Sequence, residues 1–238
     1  MDCPALSCER LKQFRKSRVL QGMRPCFAFA AIAIPFLALV YAASGAAEET
    51  SQERAILFFG DSLTAGHGVD YDQSYPLVLQ DMLANEGLDW RVIPSGVSGE
   101  TTAGGLRRVD WVLRKPVDIF VLALGGNDGL RGIDLADTRR NLISIAKRVR
   151  DKHPETQIVI AGMKMPPNLG KRYTEEFESL YPSVAESLGA TLVPFLLEGV
   201  GGIPELNQSD GIHPNPEGHK RIAQHLYESL LPLLRDDD

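Results

Sequence analysis

Five residues in four short segments of the chain could together hydrolyse an ester. Ser62 stands in a Gly-Asp-Ser-Leu turn directly after an apolar run, where its hydroxyl can act as a nucleophile. Asp210 precedes His213 by three residues, so its carboxylate can bond one ring nitrogen and leave the other for the serine. The backbone N–H of Gly99 and the carboxamide of Asn127 can donate to the negative oxygen that develops during acyl transfer. The Ser62 N–H is a further such donor, and the set amounts to a serine hydrolase site.

Each segment also has a purely structural explanation. Asp61 and Ser62 suit a helix cap, and Thr101 or Thr102 could cap a helix after the Gly99 loop. Gly-Gly-Asn-Asp at 125–128 suits an ordinary turn, and Asp210 suits an Asx turn ahead of Pro214. Taken singly, these explanations are at least as good as the catalytic one. The catalytic interpretation depends on all four segments falling where a site is expected.

The pattern from residue 55 onward places these segments at the ends of predicted strands. Short apolar runs alternate with longer amphipathic stretches, which predicts an α/β fold with a mostly parallel five-stranded sheet. Ligands of such sheets collect at the carboxyl ends of the strands. The predicted strands are 55–59, 90–94, 117–124, 157–162 and 190–193, and the predicted helices are 74–86, 102–114, 134–151, 173–188 and 215–234.

An apolar acyl pocket is expected from the loops after the third and fourth strands. The candidate substrate-binding residues are Leu130, Met165, Pro166 and Leu169. Met163 fits either the pocket or the core. His153, His219 and His225 lie outside the four segments, and we expect them on the solvated surface.

The first 47 residues have the organisation of a signal peptide. Basic residues precede an apolar run from Cys26 to Ala43, and small residues follow, with cleavage expected after Ala46 or Ala47. Met23 offers a second start site. An uncleaved anchor is the alternative, since about 18 apolar residues approach the minimum for a membrane span. We therefore expect an exported, periplasmic or secreted domain, residues 48–238, without a stable membrane anchor.

The composition of that domain excludes other classes of site and partner. All three cysteines, Cys3, Cys8 and Cys26, lie in the signal peptide, so the domain has no disulfide. Removing residues 1–47 leaves 19 basic and 29 acidic side chains, a formal charge of −10 that argues against nucleic acid as a partner. No cluster has metal-ligand spacing and no phosphate-binding loop appears, so we expect neither metal nor cofactor. The sequence gives no indication of the oligomeric state.

The four segments resemble the conserved blocks of the SGNH, or GDSL, hydrolase family. GDSL at 60–63, SGE around Gly99, GGND at 125–128 and DGIHP at 210–214 occur in the family's order. GGNDGLRG (125–132) and MPPNLGKRY (165–173) resemble the bacterial members that hydrolyse acyl-CoA thioesters, lysophospholipids and aryl esters. The resemblance implies a three-layer α/β/α, flavodoxin-like fold and a metal-free periplasmic enzyme. It also implies that Ser62 is the nucleophile, His213 the base, Asp210 its partner, and Ser62, Gly99 and Asn127 the oxyanion donors.

Three functions fit these observations. The first is hydrolysis of acyl esters and thioesters, with a small-molecule or lipid substrate, through an acyl-enzyme on Ser62. The second is removal of acetyl groups from carbohydrates by the same site, and the third is a non-catalytic exported binding module. His67 is not expected in the closest family members, and its place near the nucleophile bears on substrate preference.

Overall fold

The central feature of the fold is a five-stranded sheet in which every strand is parallel to its neighbours. A computed structural model describes residues 54–235, so the predicted signal peptide lies outside the described residues. The strand order is β2-β1-β3-β4-β5. The strands are β1 Arg54–Gly60, β2 Trp90–Gly96, β3 Ile119–Ala123, β4 Gln157–Ala161 and β5 Thr191–Val193. The five predicted strands are confirmed.

The helices form two layers, one on each face of the sheet. Helices α2 and α7 pack together, and α3, α5 and α6 pack side by side in the other layer. Together with the sheet they make the predicted three-layer α/β/α fold. The helices are α1 Ser62–Ala65, α2 Tyr75–Asn85, α3 Thr102–Val112, α4 Gly126–Leu130, α5 Leu135–Lys152, α6 Lys171–Leu188 and α7 Pro216–Leu234.

The five long helices match the prediction, whereas α1 and α4 were not predicted as helices. Each contains about one turn, which is too short to show a helical period in the sequence. Helix α3 ends two residues earlier than expected, since Pro116 disfavours a helical conformation just before it. The side chain of Thr101 caps α3 by accepting from the N–H of Gly104. The structural explanation of that segment is therefore also correct.

The inner strands are apolar because helices cover both of their faces. All residues of β3 and all but the first of β1 are buried, and the rings of Phe59 and Phe120 lie 5.4 Å apart at their centroids. Full burial of such a side chain is worth about 2 to 3 kcal/mol. This packing fixes the carboxyl ends of the inner strands, where the polar segments follow.

The structure contradicts the prediction that His219 lies on the solvated surface. His219 is fully buried in α7, and its Nδ1 accepts a hydrogen bond of 3.2 Å from the N–H of Tyr75. That N–H belongs to the first residue of α2 and has no acceptor within its own helix. The hydroxyl of Tyr75 in turn lies 2.7 Å from the hydroxyl of Thr64 in α1. His219 therefore joins α7 to the start of α2, a contact that its helical position alone does not reveal.

Between residues 54 and 235 the structure contains no helix that could span a membrane.

Candidate active site

The structure brings the three predicted catalytic residues into one chain of hydrogen bonds. Ser62 is the first residue of α1, directly after β1, and its Oγ lies 3.0 Å from Nε2 of His213. Nδ1 of His213 lies 2.7 Å from Oδ2 of Asp210. Residues 151 positions apart in the sequence thus meet at the carboxyl edge of the sheet. In this geometry the imidazole can accept the serine proton while the carboxylate holds the ring.

Asp210 forms the Asx turn and contacts the imidazole at the same time. Its Oδ1 accepts from the backbone N–H groups of Ile212, at 2.9 Å, and His213, at 3.0 Å. Hydrogen bonds from the backbone and side chain of His213 and from the Ile212 N–H lower the pKa of Asp210 to about 2. The two explanations of this segment are therefore compatible, because one carboxylate oxygen serves each purpose.

Asp61 is a buried carboxylate that sequence reasoning treated only as a helix cap. It does cap α1, since its Oδ1 accepts from the N–H of Leu63 at 3.0 Å. Its Oδ2 also accepts from Nδ2 of Asn127, at 3.3 Å. Burial raises the pKa of Asp61 to about 6, although these hydrogen bonds and the field of His213 act in the opposite direction. Asp61 therefore connects the turn that carries Ser62 to the side chain of Asn127.

Asp128, the last residue of the GGND segment, is buried beneath the site. Its carboxylate accepts from the backbone N–H of Thr102, at 2.9 Å, and from the hydroxyl of the same residue, at 2.5 Å. These bonds fasten α4 to the beginning of α3. Asn127 is thereby held on a rigid element, with its side chain directed at the site.

Gly99 lies in a loop that begins against α1, the helix that starts at Ser62. A Cβ at Gly96 would lie 2.2 Å from the backbone nitrogen of Ala65, so the loop approaches α1 as closely as a glycine permits. Gly99 itself has φ of +75°, and its carbonyl accepts from Arg131 at 2.9 Å. Gly99 is not among the residues that line the cavity beside Ser62. The structure thus leaves a donor role for Gly99 as a prediction.

Arg108 anchors this loop to the end of β1. Its guanidinium bonds both carboxylate oxygens of Glu100, at 2.8 and 2.7 Å from Nε, and the carbonyl oxygens of Ser95, at 2.9 Å, and Gly60, at 3.2 Å. The Glu100 side chain is 7% exposed and the Arg108 side chain 21%. The guanidinium also lies over the ring of Phe59. Arg108 and Glu100 were not predicted, because an i,i+8 ion pair between a loop and a helix has no distinctive sequence pattern.

A cavity of about 560 Å³ opens beside Ser62 and Asn127. Of the predicted substrate-binding residues, Leu130, Met165 and Pro166 line it, and Leu169 does not. Met163 both lines the cavity and belongs to the core, being 3% exposed. Phe195, Leu197 and Ile212 complete the apolar wall and were missed, since they lie in loops without helical or strand periodicity. The wall is thus suited to an alkyl chain.

His67 lies against the imidazole of His213. The centroids of the His67 and His213 rings are 4.6 Å apart, with an angle of 51° between the ring planes. His67 is exposed and follows α1, as its position in the sequence predicted. In residues 54–235 no group of three or more His, Cys, Asp or Glu side chains could hold a metal ion.

Comparison with known proteins shows the family of this chain. The profile of the GDSL-like Lipase/Acylhydrolase family matches residues 58–221. The chain belongs to this family. It is 42% identical to the esterase TesA of Pseudomonas aeruginosa over 200 residues, 83% of this chain and 96% of that protein. It is 34% identical to an Escherichia coli protein named thioesterase 1/protease 1/lysophospholipase L1, over 86% of this chain and 94% of that protein.

A solved structure of TesA superimposes on this member of the family with a TM-score of 0.73 at 41% identity. The superposition covers 76% of this chain and 99% of the TesA chain. The fold and the family expected from the four segments are thereby confirmed. Family membership makes the chain a hydrolase and excludes the non-catalytic binding module.

Stability between pH 4 and 6.5 is expected to depend on two buried groups with opposite effects. Burial lowers the pKa of His219 to about 4, whereas an unfolded histidine titrates near 6.5. The unfolded state binds the extra proton in that range, so this contribution is complete above pH 6.5 and is lost as the pH falls toward 4. Asp61 binds its proton in the folded state first, between about pH 6 and 3.8, so its contribution increases as the pH falls. Asp210 changes the pH dependence of stability only below pH 3.8.

His219→Gln should therefore change the sign of the pH dependence of the free energy of unfolding between pH 4 and 6.5. Glutamine keeps an acceptor for the Tyr75 N–H but does not titrate, which leaves Asp61 unopposed. At about 1.4 kcal/mol for each tenfold change in proton affinity, the His219 contribution is about 3 kcal/mol. Urea unfolding at pH 4 and 6.5 should show a shallow dependence for the wild type and a variant that is more stable at pH 4. Parallel curves for the two proteins would contradict the assignment.

Proposed function

We propose that this protein is a serine esterase and thioesterase that hydrolyses acyl esters through an acyl-enzyme on Ser62. The observation that carries the proposal is the Ser62–His213–Asp210 chain of hydrogen bonds, which opens on an apolar cavity. Relatives named esterase, arylesterase and thioesterase 1/lysophospholipase L1 support this substrate class.

The reaction follows from the positions of the side chains. Nε2 of His213 accepts the proton as Oγ of Ser62 attacks the carbonyl carbon, and a tetrahedral oxyanion forms. The imidazolium then donates that proton to the departing alcohol or thiol, leaving an acyl-serine. Water, deprotonated by His213, attacks the acyl group and releases the acid and the free serine. Asp210 stays ionised throughout and stabilises the imidazolium, in keeping with its low pKa.

The oxyanion would be stabilised by the N–H groups of Ser62 and Gly99 and by Nδ2 of Asn127. The Ser62 and Gly99 N–H groups have no acceptor within the part of the chain that the structure describes. One N–H of the Asn127 amide bonds Asp61, and the other is available to the substrate. In this arrangement the carboxylate of Asp61 orients the Asn127 amide, and the burial of Asp61 keeps that orientation fixed.

Asn127→Ala is expected to lower kcat about 100- to 1,000-fold, the usual cost of losing one oxyanion donor. The fold should persist, because Asn127 is half-buried and its backbone remains in α4. Asn141→Ala is the matched control, since the Asn141 amide also bonds one side chain, the Thr102 hydroxyl, but does not line the cavity. Steady-state kinetics of the two variants decide the point, and an unimpaired Asn127→Ala would remove this residue from the mechanism.

Hydrolysis of p-nitrophenyl esters from acetyl to palmitoyl, beside Ser62→Ala, tests the proposed function. Loss of activity in the variant together with an optimum beyond acetyl supports the acyl esterase. An optimum at acetyl would favour the carbohydrate deacetylase, and equal rates for both proteins would refute a serine hydrolase centred on Ser62. Acyl-CoA substrates in the same assay measure the preference between thioesters and oxyesters.

We also propose that the enzyme is exported and acts in the periplasm or outside the cell. The basic, apolar and small-residue zones of residues 1–47 support this proposal. Mass spectrometry of the exported protein should find an N-terminus near residue 47 or 48. An intact N-terminus at residue 1 or 23 would contradict cleavage.

A further inference from the structure

Gln208 lies between the loop that carries the base and the helix that carries the nucleophile. Its Nε2 donates to the carbonyl oxygen of His67 at 2.6 Å and to that of Pro214 at 2.9 Å. His67 follows the nucleophile helix α1, and Pro214 follows His213. Both N–H groups of this one amide are thus used to hold the two halves of the site together.

The backbone of Gln208 extends this connection to the catalytic residues themselves. Its N–H donates to the carbonyl oxygen of His213 at 2.7 Å, and the N–H of His67 donates to the carbonyl oxygen of Ser62 at 3.0 Å. A continuous path of hydrogen bonds therefore leads from Ser62 through His67 and Gln208 to His213. The nucleophile and the base are coupled by this path as well as by their direct contact.

The base loop would keep much of its own shape without the Gln208 side chain. Asn207 and Pro214 form an antiparallel bridge, and the N–H of Gly211 donates to the carbonyl oxygen of Gln208. The Asn207 amide donates to the carbonyl oxygens of Val200 and Ile203, both at 2.7 Å. These contacts are all local to the segment 200–214. The bond to His67 differs, because it joins residues 141 positions apart.

The nucleophile loop leaves room for this amide. Gly68 has φ of +79°, and a Cβ there would lie 2.2 Å from Oε1 of Gln208. A side chain at position 68 would occupy the place of the amide. Glycine at this position thus permits both the turn and the contact.

We propose that Gln208 is a positioning residue that sets the placement of the His213 imidazole relative to Ser62. The inference rests on the proposed function, because it gives His213 the role of base. Gln208 does not touch the reacting atoms, and it acts only through the backbone at His67, His213 and Pro214. A general base contributes about 100- to 10,000-fold to rate, and a misplacement of about 1 Å can cost about 100-fold.

Gln208→Leu tests the proposal, because leucine has a similar size but lacks both donors. Its matched control is Gln80→Leu. The Gln80 amide also bridges two backbone groups, donating to the Trp90 carbonyl oxygen at 2.7 Å and accepting from the Val92 N–H at 2.6 Å. Those residues lie at the amino end of β2, away from the site. Both substitutions remove two comparable hydrogen bonds, so thermal unfolding should respond similarly.

The kinetics should separate the two variants. For Gln208→Leu in the full-length protein we expect kcat to fall about 10- to 100-fold with little change in KM, and phosphonylation of Ser62 by a p-nitrophenyl phosphonate to slow in parallel. Gln80→Leu should keep wild-type values for both rates. Should Gln208→Leu fail to fold, Gln208→Asn replaces it, since the shorter amide cannot reach both carbonyl oxygens and should show the same split between kcat and KM.

Equal kcat values for the Gln208 variant and Gln80→Leu would overturn this inference. The proposed function would still hold if the wild type were more active than Ser62→Ala. A wild type no more active than Ser62→Ala would overturn both. A rise in KM alone, with kcat unchanged, would also contradict a positioning role.

Discussion

Ser62→Ala and His213→Gln are each expected to lower kcat by about 10⁴- to 10⁶-fold, and the double variant by no more than either single one. The reason is geometric, because Oγ of Ser62 lies 3.0 Å from Nε2 of His213, and the proposed proton transfer between them cannot occur when either side chain is missing. When two residues act as one unit, removing either one abolishes the contribution of both to the rate. Kinetics of the three variants on a p-nitrophenyl ester measure this non-additivity.

The matched control is His153→Gln. The His153 ring also contacts a main-chain carbonyl, that of Leu113 at 3.0 Å, but it lies at the end of α5 and does not line the cavity. It should retain full activity. If the fold losses in kcat of the two single variants instead multiplied in the double variant, Ser62 and His213 would act in separate steps. The proposed mechanism would then be wrong.

Arg108→Met is expected to destabilise the fold by about 3 to 5 kcal/mol, the usual cost of leaving one member of a buried ion pair without its partner. The Glu100 carboxylate would lose its partner at 7% exposure, and the carbonyl oxygens of Gly60 and Ser95 would lose a donor. Urea unfolding at neutral pH measures the effect. A double variant that also replaces Glu100 with leucine should recover part of the loss, because no unpaired charge is then buried.

Arg148→Met provides the comparison, since Arg148 lies in α5 and binds the exposed side of α3, the helix that carries Arg108. Arg148 bonds the carboxylate of Asp110 and the carbonyl oxygen of Leu106, both at 2.9 Å, so the chemistry of its contacts is similar. The side chains of that pair are 43% and 63% exposed, and exposed pairs contribute less than about 1 kcal/mol. Equal losses for the two arginine variants would show that burial is not what makes Arg108 important.

The sequence alone predicted the sheet and the grouping of Ser62, Asp210 and His213 for different reasons. The inner strands β1 and β3 are continuous apolar runs, because helices cover both of their faces. Ser62, Asn127, Asp210 and His213 could be found because each lies in a short segment with its own turn chemistry. Helices α1 and α4 could not be found by periodicity, since one turn contains no repeat.

Contacts between distant segments were the part that could not be predicted. The bond between Asp61 and Asn127 joins residues 66 positions apart, and the bond between Tyr75 and His219 joins residues 144 apart. Neither pairing follows from local spacing. The cavity wall showed the same difficulty, because Phe195 and Ile212 lie in irregular loops and Leu169, although apolar and nearby in sequence, does not line it.

The separation of Ser62 from His213 along the chain has a consequence for the order in which the site can assemble. Ser62 leaves the ribosome early, and all five strands are complete once residue 193 has emerged. His213 follows only with the last helix, α7, which must dock against α2 through contacts such as His219 with Tyr75. A chain that has completed only its five strands would therefore hold the serine without the base that the proposed mechanism requires. Under the proposed mechanism, the last helix must therefore be in place before the protein can hydrolyse an ester.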